Sequence, residues 1–444
     1  MLVVPAPSLR SPSIATLPPE TMLSIFDYLY MAEKVPLRYS GERYTSLALF
    51  PLRMITVCRR WRDILALKTM YWESVVVPLC ILGLPSLTKV LIGAFTRLET
   101  IELYLVSDNR DIIEASAENA HLETMMRLLA PFLHKCKTIS IDMCYRSSTV
   151  IASRFLNALV ARSLVYFSLV SHVTDSIEET PFASFISPNL ETLRLDAQTF
   201  IGFAEAEGEP GVEVEYGRTL SITSYHPENE SSTLTYSELI CAIARFTETY
   251  GGLLNLAVED VVFDGLDFGE PEWITTVSDV RFVDMDTSFL CAFFGYFDPP
   301  MNPNGGAHLS LTRCQLDIPI SVQFIAELDL TGINDGVTIM YALKEWDGLT
   351  VNISDCPGFT DDILHVMASD YLCDEVYTFK FCNCPISVAA MRGFIASRSA
   401  SENFEELYVH GAPSLSDEDK EWFTEKVPVR LTWNGEALKL TDWS

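Results

Sequence analysis

The sequence predicts an α/β protein: a small all-helical module, then an irregular solenoid of strand-turn-helix repeats with a parallel sheet on its concave face and helices outside. Three observations predict it. Two amphipathic helical stretches lie within the first 77 residues, a short apolar-x-apolar pattern returns again and again from about residue 98, and its clearest copies are spaced 28 residues apart. One such unit cannot bury its apolar side alone, so a fixed period in this range marks stacked repeats.

Residues 1–16 contain Pro5, Pro7 and Pro12, lack the basic start and apolar run of a signal peptide, and read as a flexible tail. At Leu17-Pro18-Pro19-Glu20 a first helix opens, a proline being preset for the first helical turn, and Ile25, Phe26 and Leu29 give it an apolar stripe. A second helix is written in Met54, Val57, Cys58, Trp61 and Leu65, which recur at three- and four-residue steps. Arg53, Arg59, Arg60, Arg62 and Asp63 lie mostly on its other side, and Thr69-Met70-Tyr71-Trp72 comes next.

These two runs, in this order, resemble the F-box, the adaptor-binding module of Skp-cullin-F-box ubiquitin ligases, over residues 17–77. The Val57-Cys58-Arg59-Arg60-Trp61-Arg62 run is similar to fungal-type F-boxes. The segment from Tyr30 to Phe50 is longer than in compact members, and Thr69 and Tyr71 stand where the family often carries Pro and Leu. The resemblance implies a Skp-type adaptor as partner, and through it a cullin and a RING subunit. It implies adaptor-binding positions at Leu17, Pro18, Glu20, Ile25, Phe26, Leu29, Val57, Cys58, Trp61, Leu65 and Trp72, with Trp61 or Trp72 as the hot spot. Some of these must also build the module's own core.

Residues 78–97 read as a linker or cap, 98–435 as the repeat array and 436–444 as a tail. Val351, Phe379 and Leu407 begin the copies spaced by 28, and the turns Cys356-Pro357, Cys384-Pro385 and Ala412-Pro413 keep that spacing. Earlier strands are expected at Ile101, Ile139, Phe167, Leu193, Leu220, Leu256, Val280, Leu309 and Leu328. Helices are expected at 148–162, 234–250, 360–369, 387–397 and 416–426, two of them opened by the capping pairs Thr235/Glu238 and Ser416/Asp419. Gaps of 38 residues after Ile101 and 36 after Leu220 call for insertions at Asp108–Asn119 and His226–Thr233, or hide a missed repeat. The unit resembles the leucine-rich repeat, and Asp355-Cys356-Pro357-Gly358 is similar to the cysteine-containing repeats that accompany many F-boxes.

Charge narrows the partners. Residues 1–70 carry a net +4, which leaves −33 on the rest of the chain. Such a surface repels nucleic-acid phosphates and anionic lipid heads, and the longest apolar run, Val75–Leu84, is too short for a bilayer and broken by Pro78. No nucleic-acid or membrane partner is expected. The eleven cysteines show no disulfide framework and fit reduced thiols in a cytoplasmic or nuclear protein. Cys382-Asn383-Cys384 lacks the further ligands of a closed zinc site, and no cofactor or catalytic motif is present, so the chain is not expected to be an enzyme.

Alternate strand residues should line the concave sheet and hold an unidentified protein target. The candidates are Glu102, Tyr104, Arg194, Asp196, Glu327, Asp329, Lys380 and Tyr408. The expected function is therefore that of a substrate receptor in a ubiquitin ligase. A leucine-rich-repeat interaction protein without ubiquitin chemistry and a small-molecule-binding repeat receptor are the alternatives.

Overall fold

The computed structural model describes residues 17–33, 50–79, 85–107, 114–178, 180, 182, 185–205, 218–227, 234–250, 253–263, 274, 277–297, 307–320, 325–370, 372–398 and 404–440. Up to residue 72 these are helical: α1 (Pro19–Glu33), α2 (Leu52–Ile55), α3 (Arg59–Leu65) and a 3-10 turn (Thr69–Trp72). Met22, Phe26 and Tyr30 recur every fourth residue on α1 and are buried with Ile64, Leu65, Tyr71 and Trp72. Phe26 meets Trp61 edge-on at 5.2 Å, and Trp72 donates its Nε1 proton to the Leu65 carbonyl. Under this cluster Lys68 and the Tyr71 hydroxyl both bond to Asp27, at 2.7 and 2.6 Å, which holds the Asp27 carboxyl below its ordinary value.

Strand and helix then alternate. The first half comprises β1 (Ser74–Pro78), α4 (Pro85–Arg97), β2 (Ile101–Val106), α5 (Ala115–Leu129), β3 (Cys136–Tyr145), α6 (Arg146–Leu156), β4 (Tyr166–Val173), β5 (Thr192–Asp196), α7 (Ala197–Glu205), β6 (Thr219–Tyr225), α8 (Tyr236–Tyr250) and β7 (Leu253–Val261). The second half comprises β8 (Val277–Val283), α9 (Thr287–Gly295), β9 (Ala307–Thr312), β10 (Ile325–Thr331), α10 (Gly336–Lys344), β11 (Thr350–Ser354), α11 (Asp361–Ser369), β12 (Thr378–Cys382), α12 (Val388–Arg398), β13 (Glu406–His410), α13 (Asp417–Lys426), β14 (Arg430–Trp433) and β15 (Glu436–Leu440).

All fifteen strands form one sheet in chain order, parallel throughout until β15 turns back antiparallel on β14. Each strand bonds only to its chain neighbours, which makes the sheet solenoid-like. The register is continuous. Leu103, Ile139, Phe167, Leu193, Leu220, Leu256, Val280, Leu309, Leu328, Val351, Phe379 and Leu407 form one buried row on the helix-covered face, so every strand expected from the apolar alternation is present.

Both long gaps close without a hidden repeat. β2 pairs directly with β3 and β6 with β7, the extra length going into α5 and α8. Of the insertions expected there, residues 108–113 and 228–233 lie outside the described residues, and Ala115–Asn119 is helix. The Thr235/Glu238 and Ser416/Asp419 pairs cap their helices: Glu238 and Asp419 donate their backbone N–H to the Thr235 and Ser416 hydroxyls.

Three boundaries differ from expectation. The sheet begins at Ser74, inside the range assigned to the helical module, because Val75, Val76 and Val77 are all buried and give no alternation. The segment read as a linker is the helix α4 of a repeat, and the expected tail contains β15. β15 is reached through a two-residue turn, Asn434-Gly435, with φ of +48° and +82°, the backbone that favours Asn-Gly in tight hairpins.

A second regularity lies at the ends of the later strands. Ser224, Asp260, Asp284, Arg313, Gly332, Asp355, Asn383 and Gly411 all have positive φ, each at or beside the end of its strand. The N–H of Asp284, Arg313, Gly332, Asp355 and Asn383 each bonds to a carbonyl of the next strand, which extends the ladder by one rung. The side chains interlock: Arg313 grips the Asp284 carboxylate and crosses Gly332, whose absent Cβ would sit 3.1 Å from the Arg313 Cγ. Behind this turn Cys314, Cys356 and Cys384 donate their thiols to carbonyls of the preceding strand at 3.4–3.5 Å. Burial pushes the Cys314 and Cys384 thiols up to about 12 and about 11, which suits packing rather than nucleophilic or metal chemistry.

Candidate functional site

Two surfaces carry the candidate residues. On the helical module the expected adaptor positions separate by burial. Phe26, Leu65 and Trp72 are buried, the part of the set that builds the module's own core between α1, α3 and the 3-10 turn. Leu17, Ile25, Leu29 and Trp61 are half-buried against that core, while Pro18, Glu20, Val57 and Cys58 are exposed. Trp61 is thus the accessible tryptophan of the two proposed as hot spots.

Three apolar side chains that sequence reasoning passed over are also exposed on the module. Tyr28 and Met31 on α1 are 76% and 68% exposed, and Leu67 after α3 is 68% exposed. A signal was available: between Met22 and Met31 only Ser24 and Asp27 interrupt the apolar run. A helix apolar on more than one side must bury more than one side. Arg59, Arg60 and Asp63 are exposed on the module as well, with Arg59 3.8 Å from Asp63.

The second surface is the open face of the sheet. Register sets its residues into rows. Tyr104, Ser140, Ser168, Arg194, Ser221, Ala257, Arg281, Ser310, Asp329, Asn352, Lys380 and Tyr408 form one row. Glu102, Thr138, Tyr166, Thr192, Thr219, Asn255, Asp279, His308, Glu327, Thr350, Thr378 and Glu406 form a second. Five of the eight expected target-binding residues therefore share a row, Glu102 and Glu327 lie in the next, and Asp196 stands at the strand ends.

Two of the eight are buried. Tyr104 is 2% exposed between Val76 and Ser140, and Asp196 is buried in a polar cluster. The Asp196 carboxylate accepts from the Thr199 N–H and hydroxyl at 2.9 Å and from the Ser171 hydroxyl at 3.2 Å, with the buried Arg146 guanidinium 3.8 Å away. Arg146 also donates to the carbonyls of Ser176 and Glu178 at 2.7 Å. This pair holds β5 to the start of α6. Glu327 and Lys380 are exposed, while Glu102, Arg194, Asp329 and Tyr408 are half-buried.

Several charges on β7–β10 and β13–β14 are paired with one another. Arg281 lies 3.8 Å from Glu259, and Arg430 bonds to the Tyr408 hydroxyl 3.8 Å from Glu406. His308 sits between Asp329 at 3.0 Å and Asp279 at 3.5 Å, and its bond to Asp329 holds its pKa above the ordinary value.

Among the described residues no group of three or more His, Cys, Asp or Glu side chains is arranged to hold a metal, and no helix is long and apolar enough to cross a membrane. No family model matches the chain, and no curated protein matches it.

Proposed function

We propose that the chain is the target-binding subunit of a Skp-cullin-F-box ubiquitin ligase, with the helical module as an F-box on the adaptor and the sheet as a leucine-rich-repeat platform for a protein target. One observation carries this reading: the module closes a core around Phe26, Leu65 and Trp72 yet leaves Tyr28, Met31, Val57 and Leu67 in solvent. Apolar side chains that a small module cannot cover are places for a partner. The exposed Arg59 and Arg60 of the same module favour an acidic one. The chain then supplies proximity and no bond-making, since holding a target near a conjugating enzyme raises its effective concentration.

Co-expression with a Skp-type adaptor tests it. Wild type should co-purify with the adaptor, and the variant Met31→Asp with Val57→Asp should not, while keeping its thermal midpoint because both positions are exposed. Phe26→Ala should fail differently, by losing about 3–5 kcal/mol of stability. Co-purification of the aspartate variant, or none with folded wild type, would sink the proposal.

A further inference from the structure

We infer that the rim of the solenoid at the starts of β10–β14 is a docking surface for a basic protein segment that also carries apolar side chains, seated on a stripe through Leu349 and Tyr377. The inference goes beyond the ligase reading and depends neither on adaptor binding nor on the open face. Just before β11, β12, β13 and β14 the backbone ladder gains one more rung. Leu349 donates its N–H to the Ala326 carbonyl, Tyr377 to Leu349, Glu405 to Tyr377 and Val429 to Glu405, at 2.7–3.0 Å. These five residues stand side by side, one per strand, over about 19 Å at the usual strand spacing. Leu349 and Tyr377 are 47% and 39% exposed, and Ala326 and Val429 are half-buried.

The core does not need the two exposed side chains. Trp346, Val376, Phe404 and Val427, in the same helix-to-strand connections, are all buried and close the repeats beneath. An apolar stripe left in water over a closed core marks a contact surface.

Charge selects what covers it. The connections also carry Glu345, Asp347, Asp374 and Glu375, all exposed, and Glu405 lies half-buried in the stripe itself. Among the described residues none of these five carboxylates is in an ion pair. On the neighbouring helices the acids are taken: Arg392 holds Asp419 at 2.8 Å and Lys420 holds Glu436 at 3.0 Å. Arginine and lysine fit both features of the rim. Their stems lie along apolar surface while the charged heads reach carboxylates, and the face of an exposed tyrosine ring attracts a cation. The same field repels phosphates and acidic peptides. A stripe of this length takes about six extended residues, which is the size of a chain segment rather than of one side chain.

The full-length chain without adaptor, in ~0.15 M salt, would be titrated with labelled peptide pools of about eight residues built from arginine and leucine, from arginine and serine, or from glutamate and leucine. Wild type should bind the arginine-leucine pool at least about fivefold more tightly than the arginine-serine pool, and the glutamate pool not at all. Leu349→Ser with Tyr377→Ser should abolish that preference at an unchanged thermal midpoint. If the pair lowers the midpoint, Leu349→Ser alone should still reduce the preference. Asp347→Asn with Glu375→Gln should weaken both arginine pools about fivefold, while the same charge removed on α13, by Glu418→Gln with Glu421→Gln, should leave them unchanged. Equal binding of the two arginine pools, rim variants that behave as wild type, or an α13 control that weakens binding as much would each overturn the inference. So would self-association of wild type that the Leu349/Tyr377 variant reverses, which would assign the stripe to a second copy of the chain.

Discussion

Strands β3–β6 and strands β8–β14 share one sheet and one continuous register, yet they are finished differently on the open face and at the strand ends. In the first group Ser140, Ser168, Thr138 and Thr223 are buried small hydroxyl residues, and β3 and β5 run straight into α6 and α7 at Tyr145-Arg146 and Asp196-Ala197. In the second group charged side chains stand out from the sheet, and a left-handed residue closes each of β8–β13 before the chain turns away, whereas in the first group β6 alone carries one, at Ser224. The repeat backbone therefore tolerates two ways of ending a strand. One locks the end with a buried ion pair, the other with a ladder of backbone turns, and each frees different side chains for contact.

Removing the lock from the first group should have the largest effect. Asp196→Ala would strand the Arg146 guanidinium, 1% exposed at its side chain, among the carbonyls of Ser176 and Glu178. A loss of about 3–5 kcal/mol in chemical denaturation is expected, as for other buried pairs broken on one side. The matched change in the second group, Asp284→Ala, removes the partner of Arg313 from a pair that is 54% and 38% exposed. It should cost under about 1 kcal/mol. Equal losses in the two variants would erase the distinction between the groups.

The turn ladder is the next test. Gly411 has φ of +72°, and a Cβ there would lie 2.2 Å from the Asn383 Oδ1. Gly411→Ala should cost about 1–3 kcal/mol through backbone strain and displacement of Asn383, whose amide bonds to Asp355 at 2.9 Å. If the ladder is cooperative, hydrogen exchange should quicken in β12 and β13 and leave β3–β6 unchanged.

Much of this arrangement is legible in the chain. Pairs such as Leu193-x-Leu195 announce strands because one face of each is packed under helices, and Thr235/Glu238 announces a helix start because its bonds are local. Features that depend on distant partners are illegible. Nothing local to Asp196 says that Arg146, fifty residues earlier, will claim it, and nothing local to Trp72 says that its ring will close the module's core rather than face a partner. Arg194 falls between these cases. Aligning the apolar pairs of three successive repeats already places it between Ser168 and Ser221, but its half-buried side chain is seen only in the folded sheet.

The smallest expected effect belongs to His308, in the charged group. Its ring faces Asp279 on β8 and Asp329 on β10, with Glu327 adding to the same negative field. The bond to Asp329 raises its folded pKa above the ordinary 6.5, so the folded state binds the proton more tightly than the unfolded chain does. The resulting stability is fully present below about pH 6.5 and is lost as pH rises through the elevated folded value. With the pair about one third exposed, the contribution should stay under about 1 kcal/mol. Denaturation midpoints of wild type and His308→Asn, measured from pH 5.5 to pH 9 in ~0.5-unit steps, should converge at the alkaline end and separate on the acid side. A constant difference across that range would mean that His308 is held by packing alone, leaving Asp279 and Asp329 as unpaired acids beside Glu327. The charged group would then hold its negative field at every pH, and the contrast with β3–β6 would be wider than the ion pairs imply.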